Sequence, residues 1–321
     1  LADEYGYDNI KVIEHYFNYY GGYSPSPSTF LAAISQRTRR TRLVTGAVIP
    51  AFNHPLKLAG ELAMVDCMSN GRLDVGVARA FLPHEFEAFG VSMAESRGRH
   101  QEGIDALIRL WTEENVTFEG TYHHFRNVTS LPRPVQQPYP PIWIAAIVTE
   151  ESFRWAGERG FRLMVVPYLA DYPHLAQLLN LYKTAYREHG HGEPPGVMLI
   201  LHLYLAEDDA TARREAQERT ENYIKTVRQA ATPWIGREEP QYVAYSQLCN
   251  LLDAMTYDRV LKETRAIIGD PERATDQLGY IFDSFGPVSP NFQMMFGGTT
   301  FDQSVRTMRL FAERVRPRLR T

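Results

Sequence analysis

The sequence predicts an α/β protein, a (β/α)8 TIM-like barrel with insertions. Three observations carry that prediction. Short apolar runs bounded by turns alternate with segments of helical period along the chain. Most of these runs are continuously apolar, as parallel strands covered on both faces require. Neither a G-x-G-x-x-G nor a Walker motif follows an early strand, as an open doubly wound sheet would usually carry. With 321 residues the chain can form one large domain, read here as spanning 1–321.

The opening "LADEYGYDN" reads as the tail of a helix already under way, so one strand is expected ahead of it. The strands that follow are "NIKVIEH" (9–15), "RLVTGAVI" (42–49), "RLDVGVA" (72–78), "IWIAAIV" (142–148), "FRLMVVPYL" (161–169), "VMLILHLYLA" (197–206) and "FQMMFGG" (292–298). Seven visible units and one before them make eight. Between them, Ile104, Leu107, Ile108 and Trp111 follow helical spacing, as do Leu175, Leu178, Leu179, Tyr182 and Tyr186. A last helix repeats it with Phe301, Val305, Met308, Ala312 and Val315. "GDPERA" (269–274) supplies an Asp N-cap and a Pro at the first helical position.

Two stretches break the rhythm. Residues 115–141 read as a short hairpin and a Pro-rich approach to the next strand. Residues 230–265, with Trp234, Tyr242, Tyr245 and Tyr257, read as an insertion within a variable region of about 230–290, of the size that forms lids or substrate walls.

Composition narrows the function. Hydrophobic content is 44 %, charged content 22 % and net charge −4. No basic run is long enough to track a phosphate backbone, so nucleic acid is not an expected partner. The densest, "SQRTRRTR" (35–42), reads as a solvated helix end. No stretch approaches about 18 uninterrupted apolar residues, so no membrane span is expected. Only Cys67 and Cys249 are present, which favours a reducing, cytoplasmic setting.

Catalytic groups of a barrel sit at the C-terminal ends of its strands. Glu14 and His15 stand there, followed by "YFNYYGGY", a crowd of rings more suited to a binding site than a core. Glu14 reads either as a site carboxylate or as a buried partner of Arg79 or Arg72, and His15 as a proton-transfer group or a hydrogen-bonded core histidine. Arg79, ending "LDVGVARA", reads as a phosphate ligand or as the ion-pair partner of Glu61 or Asp66. Gly46-Ala47 and Ala145-Ala146 leave a flat floor for a planar ring. The histidines of "YHHF" (122–125) and "EHGHGE" (188–193) fall in loops without matching carboxylates, so no metal is expected. Cys67 lacks a base, and Thr300 with Gln303 makes a capping box.

Taken together, "EHYF", "SPSPSTFLAAISQRTRRTRLVTGAVIPAFNHPLKLAGELAMVDCMSNGRLDVGVARA" and "PYPPIWIAA" resemble the bacterial luciferase-like flavin monooxygenases. The resemblance is strongest over residues 3–168 and returns in the last helix, while 207–290 is not diagnostic. It implies reduced FMN (FMNH2) from a separate flavin reductase, O2 as co-substrate, a flavin C4a-peroxide, and one oxygen atom inserted into a small organic substrate. It also implies Glu14, His15 and Tyr16 at the reacting face and a cis Gly46-Ala47 bond beneath the flavin. Arg79 would bind the phosphate, and the turn "IVTEES" (147–152), with Val148, Thr149 and Ser152, would meet the same phosphate; Ala80, Phe81 and Ala145 would be further cofactor contacts. Tyr16, Phe17, Tyr19, Tyr20 and Tyr23 would wall the pocket against water. A homodimer through helices around 28–38 and 54–68 is implied too, the second carrying Leu58, Leu62, Val65 and Met68, a stripe that could equally face the barrel.

The chain departs from the family pattern at Tyr16, often a second His, at Ala80, commonly Gly, and at Ala78, the position of a reactive Cys in luciferase. Glu150 and Glu151 open the helix expected at the phosphate. Two alternatives share the barrel: an oxidoreductase using the deazaflavin F420, which needs a more basic groove, and a non-catalytic flavin-binding subunit, which would lack the Glu-His pair or the Arg.

Overall fold

The computed structural model describes residues 1–167, 170–245 and 247–319. These group into two compact units, one of residues 7–145 with 236–246, the other of 1–6, 146–235 and 247–321.

The first unit contains strands β1 (Asn9–Val12), β2 (Arg42–Val48), β3 (Leu73–Val77) and β6 (Ile142–Ala146), which lie side by side in that order and parallel. Helices α1 (Pro27–Ser35), α2 (Pro55–Ser69), α3 (Pro83–Phe89) and α4 (Ser96–Thr112) connect them. An antiparallel hairpin, β4 (Val116–Glu119) with β5 (His124–Val128), occupies the stretch where the sequence broke rhythm.

Every residue of β3 is buried, including Asp74. Arg42 meets that carboxylate with two hydrogen bonds, of 3.0 and 2.7 Å, which supplies the partner a buried charge requires. Helix α2 starts on Pro55 and stops at Asn70, whose φ of +56° turns the chain out of the helix. It buries Leu58, Leu62 and Val65 but leaves Met68 44 % exposed, so most of that stripe serves the unit's own core. Each such fully buried side chain contributes about 1.5–3 kcal/mol.

The second unit contains α5 (Glu150–Glu158), β7 (Arg162–Val165), α6 (Tyr172–Glu188), β8 (Val197–Leu205) and α7 (Asp209–Ala230). It continues with α8 (Leu248–Asp253), α9 (Tyr257–Lys262), β9 (Ala266–Gly269), α10 (Pro271–Phe285), β10 (Val288–Gln293) and α11 (Phe301–Leu310). β7, β9 and β10 all pair parallel with β8. Among the described residues, eight parallel strands alternate with helices, which is the α/β class the sequence predicts.

Three expectations shift here. The strand expected at 161–169 covers 162–165, and residues 168 and 169 lie outside the described residues. The strand expected at 292–298 instead spans 288–293, because the left-handed φ angles of Gly297 and Gly298 make the "GG" a turn. The buried face of α11 is Ser304, Thr307 and Leu310, while Phe301 is 66 % exposed. Thr307 turns inward to accept a hydrogen bond from the Leu205 backbone (3.2 Å), and Ser304 donates to the Met294 carbonyl (3.2 Å). Backbone satisfaction sets the rotation of that helix, while Ala312 and Val315, just past its end, are buried as the spacing predicts. Strand β9 has no counterpart in the expectations, since four residues are too few to establish a period.

Candidate active site

Three side chains follow the end of β1. Glu14 is 3 % exposed and accepts from the Tyr16 hydroxyl (2.6 Å), Asn53 Nδ2 (2.8 Å) and the Ile49 backbone N–H (3.2 Å). Burial pushes its carboxyl up to about 7 against the pull of those donors. Tyr16, whose phenol is raised well above its usual range by burial and then by Glu14, is therefore a donor. Neither Arg72 nor Arg79 meets Glu14. Arg72 instead donates to the Ser35, Thr38 and Thr41 carbonyls, closing the C-terminal end of α1.

The carboxylate beside His15 is Glu85, not Glu14. Helix α3 begins on Pro83, and Glu85 falls in its first turn with no exposed surface. Its Oε1 lies 3.0 Å from His15 Nδ1 and accepts from the Tyr16 backbone N–H at 2.8 Å. Such a partner orients the imidazole and fixes Nδ1 as the donor, which leaves Nε2 to exchange a proton. Sequence reading missed Glu85. Its signal was a carboxylate two residues after a Pro that opens a helix just past a strand end.

Rings surround the imidazole, but not all those expected. Tyr20 lies 5.1 Å and Phe81 5.8 Å from His15 between ring centroids, and Tyr245 lies 5.5 Å from Phe81. Phe17, Tyr19 and Tyr23 are 67, 77 and 84 % exposed and wall nothing. Their places are taken by rings from distant sequence, which local reading could not find.

The Gly46–Ala47 peptide bond is cis. A Cβ on Gly46 would stand 2.2 Å from Lys11 Cγ, so only glycine fits beside that lysine. Ala145 is half-buried at the end of β6.

Arg79 follows β3. It forms no ion pair with Glu61 or Asp66: Lys57 meets Glu61 (3.6 Å), and Gln136 donates twice to Asp66. Among the described residues, Arg79 Nη2 reaches the Gln241 carbonyl (3.3 Å) and Ser96 Oγ (3.5 Å), while the guanidinium lies 4.6 Å from the Tyr242 ring centroid. Its Nε is buried without a hydrogen-bond partner. His100 is driven down to about 3, chiefly by burial and then by the charge of Arg79. Ala80 takes a φ of +62°, a conformation glycine adopts without strain. A buried guanidinium N–H with no acceptor, in a chain position where a phosphate is expected, fits a phosphorylated flavin.

Val148, Thr149 and Ser152 belong to the second unit and are half-buried around the start of α5. Glu150 and Glu151 are exposed. The Thr300–Gln303 capping box is formed. Among the described residues no group of three or more His, Cys, Asp or Glu could hold a metal. His123 departs from the solvated-loop reading, being buried edge-to-face against His54. Cys67 donates to the Arg133 carbonyl (3.2 Å), and burial raises its thiol. No described helix is long and apolar enough to cross a membrane.

Comparison with known proteins agrees with this geometry. The model of the luciferase-like monooxygenase family matches residues 1–287. The oxygenase component of a flavin-dependent trigonelline monooxygenase from Acinetobacter baylyi is 31 % identical over 293 residues, covering 89 % of this chain and 80 % of that protein. The crystal structure of the monooxygenase RslO1 from Streptomyces bottropensis superposes with a TM-score of 0.85 at 43 % identity, over 98 % of this chain and 90 % of that one. The oxygenating constituent of 3,6-diketocamphane monooxygenase from Pseudomonas putida, in complex with FMN, shares the fold with a TM-score of 0.82 at 19 % identity, over 99 % and 91 %. The fold is thus the TIM-like barrel the sequence predicts, and the protein is a flavin-dependent oxidoreductase. The chain belongs to the luciferase-like monooxygenase family.

Proposed function

We propose that this protein is the oxygenase of a two-component system. It takes FMNH2 from a separate flavin reductase and transfers one oxygen atom from O2 to a small organic substrate. The observation that carries the reading is the pairing of two features in one unit: the His15–Glu85 contact at 3.0 Å, and Arg79 with a buried Nε that lacks an acceptor. The name of the trigonelline relative, an oxygenase component, supports a separate reductase.

In this reading Arg79 holds the FMN phosphate, while for Val148, Thr149 and Ser152 of the second unit a cofactor role rests on the family resemblance alone. Gly46, Ala47 and Ala145 form the floor, and Ala80 and Phe81 line the ring. Reduced flavin bound there supplies the electrons that activate O2. His15 moves a proton at Nε2 while Glu85 holds its Nδ1 side. Glu14, with Tyr16 and Asn53, fixes the backbone that carries His15. Tyr20, Phe81 and Tyr245 exclude water. The region 230–290 forms the substrate wall. Two free cysteines suit a cytoplasmic protein. We place a homodimer contact on α1 and α2, where Phe30 and Met64 are each 52 % exposed.

F420 enzymes share this fold, so the fold leaves the cofactor open. The test is an anaerobic titration with FMNH2, reduced riboflavin and F420. FMNH2 is expected to bind more tightly than reduced riboflavin, and Arg79→Ala to abolish that difference, roughly tenfold or more for a charged hydrogen bond. His15→Ala should bind FMNH2 normally but form product about 100-fold more slowly. Tight F420 binding without affinity for FMNH2 would move the assignment to the deazaflavin enzymes.

A further inference from the structure

Lys11 sits in the middle of β1, on the strand that leads to His15, and has no role in the site as described so far. Its Nζ donates to the Gly46 carbonyl at 3.3 Å. That oxygen belongs to the floor on which the proposed function seats the flavin. Lys11 and Gly46 fit one another: a Cβ at position 46 would lie 2.2 Å from Lys11 Cγ, 2.5 Å from Cδ and 3.0 Å from Nζ. The glycine thus makes the channel along which the lysine climbs. Among the described residues no carboxylate lies within ion-pair distance of Nζ, and burial alone pulls the amine down to about 8.

A hydrogen bond to one carbonyl does not account for that choice. Even half-buried, as Lys11 is, an ammonium without a counter-ion costs free energy, and a methionine would fill the same channel without that penalty. A retained, unpaired cation has a use when an anion arrives beside it. The flavin ring changes charge with redox state: oxidised, it is neutral, and two-electron reduced with N1 deprotonated, it is an anion.

We propose that Lys11 is a cation built in beneath the flavin floor that favours the reduced, anionic ring over the oxidised one. This rests on the reading of Gly46–Ala47 as that floor. It gives an oxygenase fed by a separate reductase a means to hold reduced flavin and release it once oxidised. By linkage, a bound cation that prefers the anion raises the two-electron midpoint potential of the bound flavin.

The test measures the dissociation constants of FMNH2 and of FMN, and the midpoint potential of bound FMN, in the wild type, Lys11→Met, Lys11→Gln and Lys11→Arg. Lys11→Met is expected to lower the preference for the reduced form roughly tenfold, mostly by weakening FMNH2, and to shift the potential to more negative values. Lys11→Gln keeps a donor for the Gly46 carbonyl but no charge, and should behave like Lys11→Met. Lys11→Arg keeps the charge and should keep the preference. Because each value is a ratio within one preparation, a smaller folded fraction does not imitate the effect. Equal weakening of both forms in Lys11→Met and Lys11→Gln, or an unchanged ratio, would overturn the proposal and leave Lys11 as a support for Gly46. If the wild type bound neither form, the flavin reading itself would fall, a result distinct from either of these.

Discussion

Glu14 receives three donors yet lies where an ionised carboxylate is expensive, and pH decides between the two. The folded protein keeps the Glu14 proton up to about 7, whereas the unfolded chain releases it near the ordinary glutamate value of 4.5. Between those values the folded state binds more protons than the unfolded one. The contribution of this group to stability therefore falls as pH rises from about 4.5 to 7 and is level outside that window. Compared by denaturant unfolding across that range, the wild type should lose stability relative to Glu14→Gln, by on the order of 3 kcal/mol. A constant gap between the two would disprove the shift. The sequence placed a carboxylate, an imidazole and an aromatic ring together in "EHY", but not who partners whom. Glu14 and His15 lie past the end of β1 and meet different partners, and the partner of His15 comes from α3, 70 positions away. Arg79 was legible because it ends a strand, and its freedom from Glu61 and Asp66 was not, since that depends on where α2 turns its acids.

At the scale of elements, local chemistry was the most readable. The Asp270 N-cap with Pro271 and the Thr300–Gln303 box both form as their letters suggest, because capping involves residues three apart. The rotation of α11 and the existence of β9 were not legible, since each is decided by contacts with β8. Helix-to-helix spacing is similarly hidden. Gly157 of α5 lets α6 approach so closely that an added Cβ would stand 2.5 Å from the Tyr182 carbonyl and 2.9 Å from Ala185 Cβ. Gly157→Ala gains helix propensity yet should cost about 1–3 kcal/mol in net stability, because backbone cannot yield as a flexible side-chain tip does. Thermal unfolding would detect it, and a variant as stable as the wild type would mean that α5 and α6 can move apart.

For the molecule as a whole, alternation of strands and helices was enough to name the class, and the exposed residues of α1 and α2 bear on assembly. If those helices meet a second copy, Phe30→Asp combined with Met64→Asp should convert a dimer to a monomer in light scattering, with the circular dichroism unchanged. Single exposed apolar residues are ordinary on any surface, so a monomeric wild type would return these two to that category.

The segment 236–246 leaves the second unit's stretch of chain to join the first, where Gln241 and Tyr242 meet Arg79 and the Tyr242 hydroxyl lies 2.8 Å from Ser96 Oγ. The first unit is therefore not heritable as a contiguous gene fragment. A polypeptide cut at residue 145 would contain β1, β2, β3 and all of β6 but Ala146, yet would leave the guanidinium without its aromatic cover and Ala80 without the Tyr242 hydroxyl on its carbonyl. Recombination between relatives at that seam would exchange half of an anion site for a half that was shaped beside a different strap.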